Sequence, residues 1–222
     1  MPKPKPTGGD VKDNPALREH LHLVTEHYQK TYELNFELWK ERNRLVLTLL
    51  AVIGVGALLT YQVAGTQTLM MSLIVHALDL NVTVDQFQKE FPFAIFQLIL
   101  LVVILYLMVN LYQRTTYIMR NYKYLADVEE EIRACLKLSK ADVAFSREGH
   151  YYHRAQTSLQ KFGIQVAYVI TLGLLLVVFL TKRISDDWAI SRELALLEGV
   201  IGVFIAVFFI GYATYRPSIK PA

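Results

Sequence analysis

A chain of 222 residues that is 53% hydrophobic, with a mean hydropathy of +0.29, is richer in apolar side chains than a soluble domain, which sits nearer ~45–50%. A single cysteine, Cys135, excludes an intrachain disulfide and a thiolate metal cluster. The net charge of +3 reads as sidedness across a membrane rather than as a nucleic-acid footprint, because the apolar residues collect in four long runs between polar segments.

Met1 to Pro6 is Lys- and Pro-rich with no apolar run directly behind it, which does not fit a secretory signal peptide. Pro2, Pro4, Pro6, Gly8, Gly9 and Pro15 predict a disordered arm over residues 1–15. Asn14 and Pro15 then supply an N-cap and a first-turn proline, so a helix is predicted over 16–44. Its Leu17, Leu21, Val24, Tyr28, Tyr32, Phe36 and Trp39 recur at three- and four-residue steps and form one stripe opposite a charged face. The stripe suits packing on the protein's own cytoplasmic part. An interfacial membrane helix and a subunit contact are the other two readings.

Residues 45–112 are expected to hold the first span, an outer loop and the second span. The first span, 45–61, carries no charge and opens directly after Lys40, Arg42 and Arg44. The loop is apolar through Leu69, Met70, Leu73, Ile74 and Leu78 but too short to cross again, and reads as an amphipathic helix on the outer leaflet or a cap over the bundle. Thr83 with Gln86 three residues on matches a capping box. The second span, about 93–112, starts after Pro92 and continues without proline or glycine to Leu138, which predicts one long helix leaving the membrane. On its polar part Tyr117, Tyr124, Val128 and Ile132 are expected to face one way, with Asp127 and Glu129, Glu130 and Glu131 solvated. A connector around 145–149 and a helix from Tyr151 to Lys161 complete a helical hairpin over 113–161.

Residues 162–215 carry the third span, about 162–180, and the fourth, about 194–215, and 216–222 form a tail. Each run approaches the ~20 residues needed to cross a ~30 Å core. Aromatic residues, among them Trp39, Tyr61, Phe91, Tyr112, Trp188 and Tyr215, flank the ends as an interfacial belt would. Of the 23 lysines and arginines, nineteen fall in 1–44, 113–162 and 216–222, and four in 63–92 and 181–193. That bias predicts an inner (plasma) membrane protein with both termini cytoplasmic. The fold class expected is therefore an all-α integral membrane protein: a four-transmembrane-helix bundle with an N-terminal cytoplasmic helix and a long cytoplasmic hairpin between spans two and three.

Ionisable groups are scarce in the spans, which argues against a proton-coupled carrier. Glu198 is the exception, and reads either as a pore-mouth carboxylate or as a group that snorkels or pairs with Arg192 or Lys182. Gln97, Asn110 and Gln165 suit either hydrogen bonds between helices or a pore lining. Asp186 and Asp187 would add to an acidic outer mouth but lie beside Lys182 and Arg183. In the cytoplasmic part, Arg114, Arg120, Lys123, Tyr124, Arg147, Tyr151 and Arg154 mix basic and aromatic side chains, as a docking surface for a soluble protein or acidic ligand does, or as headgroup contacts do. His150 with His153, and His22 with Glu26, share helix faces, but too few ligands converge for a metal site to be expected. With no HExxH, Gly-rich phosphate loop or GxSxG, neither an enzyme nor a cofactor is expected.

A cytoplasmic helix leading into a span pair, whose second span extends back into the cytoplasm, covers residues 16–138. In this outline the chain resembles the small prokaryotic membrane effectors of phage defence, the SLATT-type and related four-span proteins. The likeness rests on architecture, and no functional residue is carried over from it. It implies a homo-oligomer that permeabilises the membrane when a cytoplasmic partner or signal triggers it. The partners expected are the bilayer, further copies and a soluble cytoplasmic protein, without nucleic acid. The rival reading is a non-conducting anchor or scaffold that recruits a soluble partner.

Overall fold

The computed structural model describes residues 15–61, 66–77, 79, 81–84, 86, 93–138 and 158–214. The arm over 1–14, the connector and second hairpin arm over 139–157, Leu78, and the tail from 215 lie outside the described residues. Among the described residues the helices are α1 (Pro15–Thr60), α2 (Thr66–Ala77), α3 (Phe93–Cys135), α4 (Ser158–Ile190) and α5 (Arg192–Thr214). All described regular structure is helical. Four of the helices, α1, α3, α4 and α5, are long and apolar enough to cross a membrane.

The chain divides into two compact units. One comprises Met1–Lys40, Thr116–Lys161 and Arg216–Ala222, the other Glu41–Thr115 and Phe162–Tyr215. Helices α1 and α3 contribute residues to both.

The apolar unit is a bundle whose core is drawn from four helices: Leu49 and Ile53 of α1, Leu101, Ile104, Leu107, Met108 and Leu111 of α3, Leu172, Leu176 and Phe179 of α4, and Ile205 of α5. Within each helix these residues fall three or four apart, so each presents one stripe inward. The opposite faces keep large apolar side chains exposed, for example Ile99 and Val102 on α3 and Leu174 and Val177 on α4. Lipid tails are as apolar as leucine, so van der Waals packing and polar contacts hold such a bundle together. Three threonine hydroxyls are satisfied within their own helices: Thr48 Oγ1 donates to the Arg44 carbonyl, Thr60 Oγ1 to Gly56 and Thr214 Oγ1 to Ile210.

Helix α4 runs ten residues past the expected end of the third span at Leu180. Ser191 separates it from α5 and does two jobs. Its backbone N–H closes the last turn of α4 on the Asp187 carbonyl at 2.7 Å, and its Oγ accepts from Leu194 N–H at 3.4 Å as the N-cap of α5. Two antiparallel spans thus meet at a one-residue hinge. Between α1 and α3, α2 buries Met71 and Val75 and exposes Leu69 and Leu73. Thr83 and Gln86 bond reciprocally, each side chain accepting from the other's backbone N–H at 3.3 Å, as a capping box requires.

In the polar unit, His20 lies 3.6 Å from Glu131, His27 3.1 Å from the Tyr124 hydroxyl, and the Tyr28 hydroxyl donates to Glu129 at 2.8 Å. Residue numbers fall on one helix as they rise on the other, so α1 and α3 pair antiparallel here. The buried face of α3 is Ile118, Leu125, Val128 and Ile132, while Tyr117 and Tyr124 are exposed, so the expected grouping of Tyr117 and Tyr124 with Val128 and Ile132 splits. Glu129 is also not solvated as expected. It is 2% exposed because the buried stripe passes through it, and it accepts from Tyr28. The end of α3 is a Schellman motif, with Leu138 N–H on the Arg133 carbonyl, Lys137 N–H on Ala134, and Lys137 itself left-handed at φ 53°.

Candidate functional site

The strongest concentration of chemistry lies inside the apolar unit. On α4 the buried stripe Leu172, Leu176 and Phe179 continues at the same spacing through Arg183 and Asp187. On α5 the buried residues are Ala195, Glu198, Gly202 and Ile205. On α3 Gln97 precedes Leu101 by four. Helical periodicity therefore carries three ionisable groups and one amide into the interior along stripes that elsewhere hold leucine. Their exposures are 4% for Arg183, 3% for Asp187, 7% for Gln97 and 0% for Glu198.

Arg183 is the hub. Its Nε donates to Glu198 Oε1 at 3.0 Å and its Nη2 to the same oxygen at 2.8 Å. Nη2 also meets Asp187 Oδ2 and Nη1 meets Gln97 Oε1. Glu198 Oε2 is buried without a hydrogen-bond partner among the described residues. The guanidinium thus ties α3, α4 and α5 together through a charge that packing alone would exclude, since a buried ion is tolerated only when paired and hydrogen-bonded. On the adjacent face of the same helix, Lys182 pairs with Asp186.

Of the sequence-derived pore candidates, Glu198 and Gln97 come together in this quartet. Glu198 takes Arg183 as its partner, in place of the expected Arg192 or Lys182. Asn110 does not join them: its side-chain N–H donates at 2.8 Å to the Tyr106 carbonyl one turn back in its own helix. Gln165 is placed on α4 by its backbone, with its side chain outside the described set. By sequence Arg183 and Asp187 fall beyond the third span, because a cation after an apolar run ordinarily marks the end of a span. The i,i+4 spacing of Arg183 with Asp187, in phase with Leu172 and Leu176, was the available signal.

In the polar unit a pocket of about 240 Å³ is lined by Tyr32, Asn35, Phe36, Trp39 and Tyr122. Asn35, not an apolar residue, is the buried member of this part of α1, at 2% exposure, and its Oδ1 has no hydrogen-bond partner among the described residues. Phe36 and Trp39 are half exposed at its rim, and the Lys40 ammonium sits 4.5 Å from the centre of the Phe36 ring. Arg120 and Lys123 are exposed on α3, as is Tyr124. Arg114, in the apolar unit, is engaged by Glu41. Arg147, Tyr151 and Arg154 lie outside the described residues. Among the described residues no group of three His, Cys, Asp or Glu could hold a metal ion.

Comparison with protein families, curated proteins and solved structures finds no match for this chain.

Proposed function

We propose that the chain is a homo-oligomeric membrane protein of the inner (plasma) membrane, with both termini cytoplasmic, that acts as a channel-like, membrane-perturbing effector. Its control would come through the helices of residues 16–44 and 113–161. The architectural likeness to phage-defence effectors supplies the setting. What supports the reading is the distribution of polarity in the bundle. Its centre is filled, among the described residues, by the apolar side chains of Leu49, Ile53, Leu101, Ile104, Met108 and Leu176. Apart from the quartet, several polar side chains of the spans lie outward: Tyr106 is 64% exposed, Tyr168 56%, and Thr48 and Thr171 are exposed as well. Polar groups facing hydrocarbon are costly, and association of copies through those faces would shelter them and line a path between subunits.

Flux of a fluorescent ion indicator from liposomes holding the purified protein tests this, alongside chemical crosslinking in the same membranes. Tyr106→Phe combined with Asn110→Leu should weaken the crosslinked species and lower the flux together. A monomer in the membrane, or flux unchanged by the double variant, would remove the reading.

The anchor reading is favoured by the pocket of the polar unit, whose buried, unpartnered Asn35 oxygen would accept an N–H from a partner's side chain seated among the aromatic rings. It requires a soluble protein that binds the wild type, is lost on Tyr122→Ala without loss of membrane insertion, and is accompanied by no flux.

A further inference from the structure

We propose that Glu198 and Asp187 together hold one proton, carried on Glu198 Oε2, so that the Arg183 quartet is a proton-binding site that is neutral as a whole. The inference does not depend on whether the protein conducts.

The hydrogen-bond pattern carries it. An arginine facing an ionised carboxylate usually meets it fork to fork, one N–H on each oxygen. Here both N–H groups that reach Glu198, from Nε at 3.0 Å and Nη2 at 2.8 Å, end on Oε1. Oε2 is buried and bare. One accepting oxygen and one oxygen without donors is the pattern of a neutral acid, with Oε1 as carbonyl and Oε2 as hydroxyl. As an ionised group, Glu198 would leave half its charge in the interior with nothing to meet it, the costliest arrangement a buried polar atom can have. As a hydroxyl the same atom is uncharged.

The charge count agrees. Asp187 and Glu198 both meet Nη2 of Arg183, so two carboxyl groups converge on one nitrogen. Carboxylates this close do not both ionise readily, and one guanidinium balances only one of them. No other described charge makes up the difference. Gln97, the contribution of α3, is neutral. Residues 45–60 of α1 carry no ionisable side chain, and α2 offers only His76, which is exposed. Lys182 is engaged by Asp186 on α4, and Arg192 and Glu193 at the start of α5 are exposed. With the ion pair thereby assigned to Arg183 and Asp187, releasing the Glu198 proton leaves a net negative charge between α4 and α5.

Infrared spectroscopy of the full-length protein in detergent at neutral pH tests the count. The wild type should show the carbonyl stretch of a protonated carboxyl group, and Glu198→Gln should lack it, since Asp187 then stays ionised against Arg183. Thermal unfolding tests the placement. Glu198→Gln replaces a hydroxyl by an amide on a neutral group and should keep the wild-type midpoint. Asp187→Asn forces Glu198 to ionise and should lower it. The wild-type midpoint should also fall on alkalinisation, because the folded state holds the extra proton, and Glu198→Gln should lose that dependence. No carboxyl band in the wild type, a band that survives Glu198→Gln, a Glu198→Gln protein that does not fold, or Asp187→Asn tolerated where Glu198→Gln is not would each overturn the proposal.

Discussion

Arg183→Met is the sharpest perturbation this architecture allows. Methionine matches the length of the arginine stem but deletes the guanidinium, and with it the hydrogen bonds to Gln97, to Asp187 and, twice, to Glu198. Polar contacts between membrane helices average about 0.6 kcal/mol each, so these four bonds account for about 2 kcal/mol. The remainder comes from the Asp187 carboxylate, 3% exposed and stranded without its cation, and from the fully buried Glu198 carboxyl left without its donors. Removing one member of a buried ion pair costs about 3–5 kcal/mol in all. Reversible unfolding of the full-length protein by SDS titration from mild detergent measures this. Trp188, one residue beyond Asp187 and half exposed, serves as a fluorescent reporter at the site. The reasoning also requires recovery. Arg183→Met with Asp187→Asn and Glu198→Gln removes the stranded Asp187 charge and the unpaired Glu198 acid and should regain most of the loss, because apolar or neutral replacement of a whole buried ionic cluster is often neutral. An Arg183→Met protein within about 0.5 kcal/mol of wild type, or a triple variant no more stable than the single, would refute the claim that the quartet holds the bundle by buried charge.

Glycines sort by the space beside them. A Cβ on Gly173 would come 2.8 Å from Phe209 Cζ, and one on Gly211 2.9 Å from Tyr112 Cε2, whereas Gly54 and Gly199 have nothing within 4 Å. Gly54→Ala and Gly199→Ala should therefore stabilise by up to about 1 kcal/mol, the helix-propensity difference. Gly173→Ala and Gly211→Ala should lie at least about 1 kcal/mol below them in the same titration, because rigid rings must move. Tyr28→Phe removes the hydrogen bond to buried Glu129 and should cost about 1.5–3 kcal/mol, read by SDS or thermal unfolding. Lys137→Gly relieves a left-handed residue at the end of α3 and should raise stability by about 1 kcal/mol. On the exposed face of α1, the hydrogen bond and charge of Lys30 hold the Glu26 carboxyl below its ordinary range, a contribution present at neutral pH and lost as pH falls through the lowered value. Lys30→Ala should return Glu26 to ordinary titration by carboxyl NMR, and high salt should act the same way.

The amino-acid sequence determined the helices. Four apolar runs of spanning length, the Asn14-Pro15 start, and the stretch from Phe93 to Leu138 without proline or glycine are local properties. Chain stiffness and hydrophobic length suffice to read them, and α1 and α3 follow in the structure as unbroken helices. The capping box at Thr83 and Gln86 was legible for the same reason, its partners being three residues apart. The tertiary structure decided which charges go inside. In sequence, Arg183 is a cation behind an apolar run and Glu129 one of three consecutive acids, and both patterns ordinarily face water. Burial of either depends on a partner far along the chain: Glu198 and Gln97 for Arg183, and Tyr28 for Glu129. No local periodicity specifies those partners. A buried ion is affordable only once another helix delivers its counter-charge, so the quartet exists as a site only in the assembled bundle.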